Sequence, residues 1–164
     1  MAAAALVGQS LGMKRPDRAE RLAWVAAHHA ALVTFSLCLP IFLGAEWIAT
    51  LLLQGKPEVI AQSSLLIRWL CVTEIFFAYA MVAIGAMQGA GDTKRPLWIT
   101  IASLWCLRVP LTYILALGPS KSVLGWGLAL GPSGAWIAMS SSQAVQGVLA
   151  LWMFKQGAWK RAKV

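Results

Sequence analysis

The chain has 164 residues, of which 59% are hydrophobic and 12% charged, about half the charged fraction of a soluble domain. Too few polar residues are present to cover a soluble fold of this size, which excludes an ordinary soluble domain. The net charge of +8 raises the question of nucleic acid, but the basic residues cluster beside apolar runs. That placement argues against nucleic-acid binding and for a membrane protein oriented by its positive charges.

Four apolar runs are long enough to cross a bilayer, because a hydrocarbon core about 30 Å thick needs about 20 helical residues. They lie at about 22–43, 59–89, 97–117 and 134–154. We therefore predict an all-α, polytopic integral membrane helix bundle, with residues 1–164 as one membrane domain. The apolar segment 2–11 is expected to be the stub of a helix that starts upstream. The Gly- and Pro-rich segment 118–133 is predicted to be a turn plus an interfacial or short helical segment.

Most of the cations fall into three clusters, and four crossings place all three on one side of the membrane. The cations of the opposite loops are only Lys56 and Lys121. Cytoplasmic loops carry the excess of Lys and Arg, so we predict cytoplasmic N- and C-termini in a multi-pass protein of the cell membrane, with the bacterial inner membrane expected. The clusters comprise Lys14, Arg15, Arg18 and Arg21; Lys94 and Arg95; and Lys155, Lys160, Arg161 and Lys163.

Two arginines lie inside predicted spans, where an ionisable group costs several kcal/mol unless it is paired or hydrated. Arg68 is about ten residues from the outer end of its helix and either serves function or extends to the lipid headgroups. Arg108 precedes Pro110 by two residues, and the proline is expected to kink the helix and free a carbonyl near the guanidinium. A structural role for Arg108 and a contact with substrate both remain open.

An acid, Glu74, begins a stripe of residues at helical spacing, which predicts a cavity wall. A carboxylate in low dielectric can exchange a proton or hold a cation near neutral pH, as an ion-coupled carrier requires. The alternative is a structural hydrogen bond or an ion pair with Arg68 or Arg108. The stripe continues through Phe77, Ala78, Met81, Gly85 and Gln88.

The segment Gly89-Ala90-Gly91-Asp92-Thr93 resembles a phosphate-binding loop only superficially, because it lacks the pattern of such motifs. We interpret it as a cytoplasmic turn. Its glycines would end one helix, and Asp92 or Thr93 would cap the next.

The remaining chemically versatile side chains form no catalytic or metal-binding pattern. The three cysteines are predicted to be small core residues, and the two adjacent histidines to make polar contacts within the bundle. We therefore predict no enzyme, no metal site and no cofactor. These residues are Cys38, Cys71, Cys106, His28 and His29.

Four strings, in this order, resemble the multidrug and toxic compound extrusion (MATE) family over essentially the whole chain. In that family they mark the exit of the eighth helix, the loop between the tenth and eleventh, the eleventh helix and the start of the twelfth. The strings are Leu6–Gly12 followed by Asp17–Ala19, then Gly85–Thr93, then Leu107–Leu111, then Gly134–Met139.

The resemblance implies a transporter of two six-helix lobes that exports cationic or amphipathic compounds in exchange for Na⁺ or H⁺. This chain would supply its C-terminal portion, an incomplete half, with the missing N-terminal lobe, the lipid bilayer and the substrates as partners. Some members of the family place a cation-binding acid on the tenth helix, at or near Phe77 here. This sequence has no acid there, and Glu74, one turn away, is the only substitute.

Two other functions are compatible with the sequence. One is a flippase for a lipid-linked sugar in a related exporter, whose cavity would carry several cations, although only Arg68 and Arg108 are available here. The other is a truncated, non-transporting membrane interaction module.

Overall fold

The structure is a computed structural model that describes residues 2–53, 57–117, 128 and 130–161. These residues form helices and no strand. Four helices are long and apolar enough to cross a membrane, and a short helix precedes them. The predicted all-α membrane bundle is thereby confirmed. The four long helices are Pro16–Leu43, Pro57–Gly89, Lys94–Ala116 and Pro132–Lys155.

The first long helix starts earlier than its predicted span. Helix α1 runs over Ala2–Gly12, and α2 over Pro16–Leu43, whereas the sequence predicted a start near residue 22. Pro16 suits a first helical position, since its fixed φ is helical and its missing N–H would have no partner there. Asp17 in the first turn complements the helix dipole. A short helix, α3 (Ala45–Leu53), follows Gly44.

Helix α4, Pro57–Gly89, lies at the centre of the bundle. Its 33 residues make it about 50 Å long, well beyond the thickness of the hydrocarbon. It packs most extensively against α7 (Pro132–Lys155) and α2. The buried residues of α2 are alanines spaced four apart, which lets the helix backbones approach closely. They are Ala19, Ala23, Ala27 and Ala31.

The third crossing is one continuous helix in three parts: α5 (Lys94–Ile101), a π-helical stretch (Ala102–Arg108) and α6 (Val109–Ala116). The backbone N–H of Val109 donates to the carbonyl of Leu104, five residues back. The widened turn ends just before Pro110, and the kink expected at this proline stays a prediction. Helix α6 continues through Pro110, so the irregularity precedes this residue.

Beyond α6, residues 118–127 and 129 lie outside the described part, and with them most of the predicted turn and interfacial segment. The described residues 128, 130 and 131 lie along the end of α6. Backbone N–H groups of Leu128, Leu130 and Gly131 donate to the carbonyls of Ile114, Leu115 and Ala116 at 2.9, 3.0 and 3.2 Å. These bonds satisfy carbonyls that a helix end otherwise leaves without partners.

Glycines allow the closest helix contacts. A Cβ atom on Gly89 would overlap the backbone of Ala4, so α1 and α4 touch backbone to backbone. A Cβ on Gly134 would lie 2.5 Å from the carbonyl oxygen of Leu115, and one on Gly147 would lie 2.8 Å from that of Phe76. Side chains at these positions would force the helices apart.

The C-terminal segment folds back onto the bundle. After α7, a short 3₁₀ helix (Ala158–Arg161) buries Trp159 completely, and the ammonium group of Lys160 lies 2.5 Å from the carboxylate of Glu20 on α2. The main hydrophobic core lies at this end of the molecule and includes Val7, Met87 and Trp159. The described members of the three basic clusters therefore lie toward one end of the bundle.

Candidate functional site

Glu74 lies on the less covered face of α4. Glu74 and Phe77 are half-buried, and Met81 is exposed, while Ala80, Ala83 and Met87 on the opposite face are buried. The predicted stripe thus forms one side of α4 that the described part of the chain leaves partly open.

Glu74 has no ion pair with either intramembrane arginine. Among the described residues, the ion pairs are Asp92 with Arg95 and Glu20 with Lys160. Glu74 and Arg68 are six residues apart, which separates them by about 9 Å along the helix and about 120° around it. Glu74 therefore does not form an ion pair with Arg68 or Arg108 in this arrangement.

Arg108 joins the third crossing to the fourth. Its Nε–H donates to the hydroxyl oxygen of Ser142 at 2.7 Å, and the Ser142 hydroxyl donates to the carbonyl of Met139 at 2.8 Å. The remaining guanidinium borders a groove along α6 that Thr112 and Tyr113 also line. Arg108 therefore holds the π-helical stretch against α7 while one side stays accessible from the groove.

Arg68 lies at a different place, between α2 and the first half of α4. It lines a groove with Phe42, Leu65, Trp69 and Val72. The structure thus does not assemble Arg68, Glu74 and Arg108 into one charged site. Arg68 and Glu74 lie at different positions around α4, and Arg108 lies on the third crossing.

The loop after α4 is built as a turn. Gly91 has a φ of 81°, and the N–H groups of Gly91 and Asp92 donate to the carbonyls of Gln88 and Met87 at 3.0 Å each, the pattern of a Schellman motif. The Asp92 carboxylate accepts the backbone N–H of Arg95 at 3.3 Å and pairs with its guanidinium at 2.5 Å. Thr93 makes no capping bond with its side chain, so Asp92 caps the helix.

The sequence interpretation missed a polar seam of four buried side chains on α7, one of which bonds to α4. The Thr73 hydroxyl donates to the amide oxygen of Gln143 at 3.2 Å. Ser140, Ser142, Gln143 and Gln146 are all buried on α7, and the Ser140 hydroxyl has no partner within the described structure. The signal was the run Ser140–Gln143 in a span without charges, because uncharged polar residues in such helices mark contacts between helices.

The cysteines and histidines follow their predicted roles only in part. Cys71 is buried and Cys38 half-buried, but Cys106 is exposed rather than in the core. His28 and His29 are exposed, and each Nδ1 contacts a carbonyl one turn back in α2, at 2.6 and 2.8 Å. Over the residues that the structure covers, no group of three metal-binding side chains occurs.

The comparisons with known proteins agree with this architecture. The MatE family profile matches residues 1–114. A relative from Mannheimia succiniciproducens, named probable multidrug resistance protein NorM, is 33% identical over 94% of this chain and 32% of its own length. The multidrug resistance protein MdtK of Pectobacterium atrosepticum is 33% identical over 79% of this chain and 27% of its own length. The uncharacterized transporter YisQ of Bacillus subtilis is 26% identical over 94% of this chain and 32% of its own length.

A bundle with four apolar helices of membrane length defines a multi-pass membrane protein. The family profile covers well over half of the chain. The chain belongs to the MatE family, which is the family of the sequence resemblance. It spans 27–32% of the length of the relatives named here.

Proposed function

We propose that this chain is the C-terminal part of a multidrug efflux antiporter that exports cationic or amphipathic compounds in exchange for Na⁺ or H⁺ by alternating access. The observation that carries the proposal is Glu74, a half-buried carboxylate within a spanning helix that pairs with neither Arg68 nor Arg108. Membership of the MatE family and the names of the NorM and MdtK relatives support the transport of drugs.

The chemistry follows from the position of the carboxylate. Inside a bilayer, a carboxylate must be protonated, hydrated or neutralised by a cation. No cation of the described chain neutralises Glu74, which leaves water, a proton or a Na⁺ ion from solution, and we propose that the ion takes this role. Binding of the ion on one side of the membrane and its release on the other would then drive the conformational cycle.

The residues that follow Glu74 on the open face suit an amphipathic cation. Phe77 and Met81 lie about one and two turns further along α4. An aromatic ring attracts a cation through its π face, and a flexible thioether adapts to apolar ligands of different shapes. We propose that the cavity is completed by the remaining part of a longer transporter, including its N-terminal lobe.

We propose that the protein lies in the bacterial inner membrane and that the basic end of its bundle faces the cytoplasm. Accessible cysteines can be introduced at Glu58 and Lys155 in a background with Cys38, Cys71 and Cys106 replaced by serine. In intact cells, a membrane-impermeant thiol reagent should label the position at Glu58 only. Labelling at Lys155 in intact cells would reverse the orientation.

The test of ion coupling compares two glutamates of the same helix in a full-length version of the protein. Glu74→Gln should abolish ion-dependent efflux of a fluorescent cationic dye while the protein remains in the membrane. Glu58→Gln, at the exposed start of α4, should leave efflux unchanged. Normal drug resistance in the Glu74→Gln variant would refute the coupling role. Accumulation of a lipid-linked sugar in cells lacking the protein, without any change in dye efflux, would favour the flippase.

A further inference from the structure

An apolar groove with a single charged residue runs between α2 and the first half of α4. One part is lined by residues of both helices and holds about 220 Å³. The adjoining part holds about 240 Å³ and includes Arg68. The two parts share Phe42 and Val72, so they lie side by side along the same two helices. The first part is lined by Phe35, Cys38, Leu39, Phe42, Cys71, Val72 and Ile75.

The length of the groove matches one leaflet of a bilayer. Along α4 it extends from Leu65 to Ile75, ten residues or about 15 Å, which is half of a hydrocarbon core about 30 Å thick. Leu65, Trp69 and Val72 on its rim are 47%, 46% and 48% exposed. The groove is therefore open along its length to an elongated apolar molecule.

The charged end of the groove lies near the membrane surface. Arg68 follows the first residue of α4 by eleven positions, about 16 Å along the axis. A helix of this length, centred in the bilayer, extends about 10 Å beyond the hydrocarbon at each end. The Arg68 backbone is then about 6 Å below the boundary, a depth that its side chain spans when it extends toward the headgroups.

The guanidinium of Arg68 has no acidic partner in the described part of the chain, where both ion pairs involve other residues. A guanidinium binds phosphate oxygens through parallel hydrogen bonds. Trp69, next to Arg68, is a residue type enriched at this depth of the bilayer. The unpaired positive charge is complementary to a lipid with net negative charge.

We propose that this groove is a binding site for an anionic phospholipid. Its phosphate binds to the Arg68 guanidinium, and one acyl chain lies along the apolar groove toward Ile75. The site lies in the leaflet opposite the Lys94–Arg95 loop and is separate from the open face that carries Glu74. The lipid would bridge α2 and α4 where the two helices are furthest from the main core.

The test measures lipid preference in the purified chain. Spin-labelled phosphatidylglycerol and phosphatidylcholine are compared in phosphatidylcholine bilayers, and the immobilised fraction of each is read by electron paramagnetic resonance. The wild type should immobilise phosphatidylglycerol preferentially, and Arg68→Gln should lower that preference about fivefold, because a charge-assisted contact is lost. Arg21→Gln, which removes an exposed cation at the other end of the bundle, should retain the preference.

Two further measurements distinguish a bound phospholipid from other possible occupants of the groove. Val72→Trp fills the groove and keeps Arg68, so it should also remove the preference; this variant serves if Arg68→Gln fails to fold. Excess inorganic phosphate should not displace the labelled lipid, and displacement would mean that the headgroup alone is bound. An unchanged preference in both variants would overturn the proposal. Loss of the preference in a full-length version would also overturn it, because another protein segment would then fill the groove.

Discussion

Arg108 and Ser142 tie the π-helical stretch to α7 through a bond of 2.7 Å from Nε to the hydroxyl oxygen. Pro110 cannot donate to the carbonyl of Cys106, four residues earlier, because it has no N–H. The helix widens just before this proline, and π-helical turns of this kind often occur at functional positions. The arginine thus anchors an irregular stretch of helix to a regular neighbour.

We expect Ser142→Ala to destabilise the chain by about 0.6–2 kcal/mol, the range for polar contacts between membrane helices. Combining it with Arg108→Gln should cost less than the sum of the two single changes, because both remove the same bond. Thermal unfolding in detergent provides the measurement. Ser141→Ala, at the adjacent and less buried position, is the control, and an additive result would contradict a direct bond.

The contact between α1 and α4 can be tested with a pair of glycines on one helix. We expect Gly89→Ala to destabilise the protein by about 1–3 kcal/mol, because the new methyl group overlaps the backbone of Ala4. Gly85→Ala meets no atom within 4 Å and should be neutral or stabilising, since alanine favours the helix by about 1 kcal/mol. Equal melting temperatures of the two variants would refute the close approach.

The C-terminal segment should contribute measurably to stability. The ring of Trp159 stacks on Phe154 with a centroid distance of 4.9 Å, and its indole N–H donates to the Phe154 carbonyl at 2.8 Å. Trp159→Ala should cost about 3–5 kcal/mol, as for other large-to-small changes at buried sites. Trp152→Ala, which removes a ring that is 57% exposed, should change the melting temperature little. Equal melting temperatures of the two variants would show that the C-terminal segment does not contribute to stability.

Removing one partner of the Thr73–Gln143 bond in the polar seam should destabilise the protein more than removing both partners. Thr73→Val leaves the buried Gln143 amide without its partner, so it should be more destabilising than the double change Thr73→Val with Gln143→Leu. Unfolding in denaturant or by heat ranks the variants. As a control, Ser36→Ala removes a hydroxyl that bonds within its own helix on an exposed face. A double variant less stable than Thr73→Val would indicate a role for the seam beyond satisfying this bond.

Hydropathy and helix-end chemistry account for most of what the sequence could predict. Runs of apolar residues predicted the four long helices, because each must cover about 30 Å of hydrocarbon whatever its neighbours are. The turn at Gly91 also follows from local preference, since glycine adopts a positive φ without strain. The onset of α2 at Pro16 was missed because the charged residues Arg18 and Arg21 hid a helix that extends beyond the apolar run.

The candidate site was less predictable because it depends on which helix faces which. Helical spacing predicted that Glu74, Phe77 and Met81 share one side of α4. It could not predict which side of α4 the core would cover. The bond from Arg108 to Ser142 joins residues 34 positions apart, and no local pattern encodes such a pairing. The π-helical stretch similarly combines the missing N–H of Pro110 with the contact of Arg108 to Ser142 on α7.

The fold-back of the C-terminal segment limits how the bundle can move. The ring of Trp24 on α2 contacts Phe154 on α7 at 5.8 Å between centroids, the ammonium of Lys155 lies 5.9 Å from the Trp24 ring, and Lys160 pairs with Glu20. Parting α2 from α7 at this end would break all of these contacts together. A separation of these two helices would therefore cost more at the basic end, where the contacts are concentrated, than at the opposite end of the bundle.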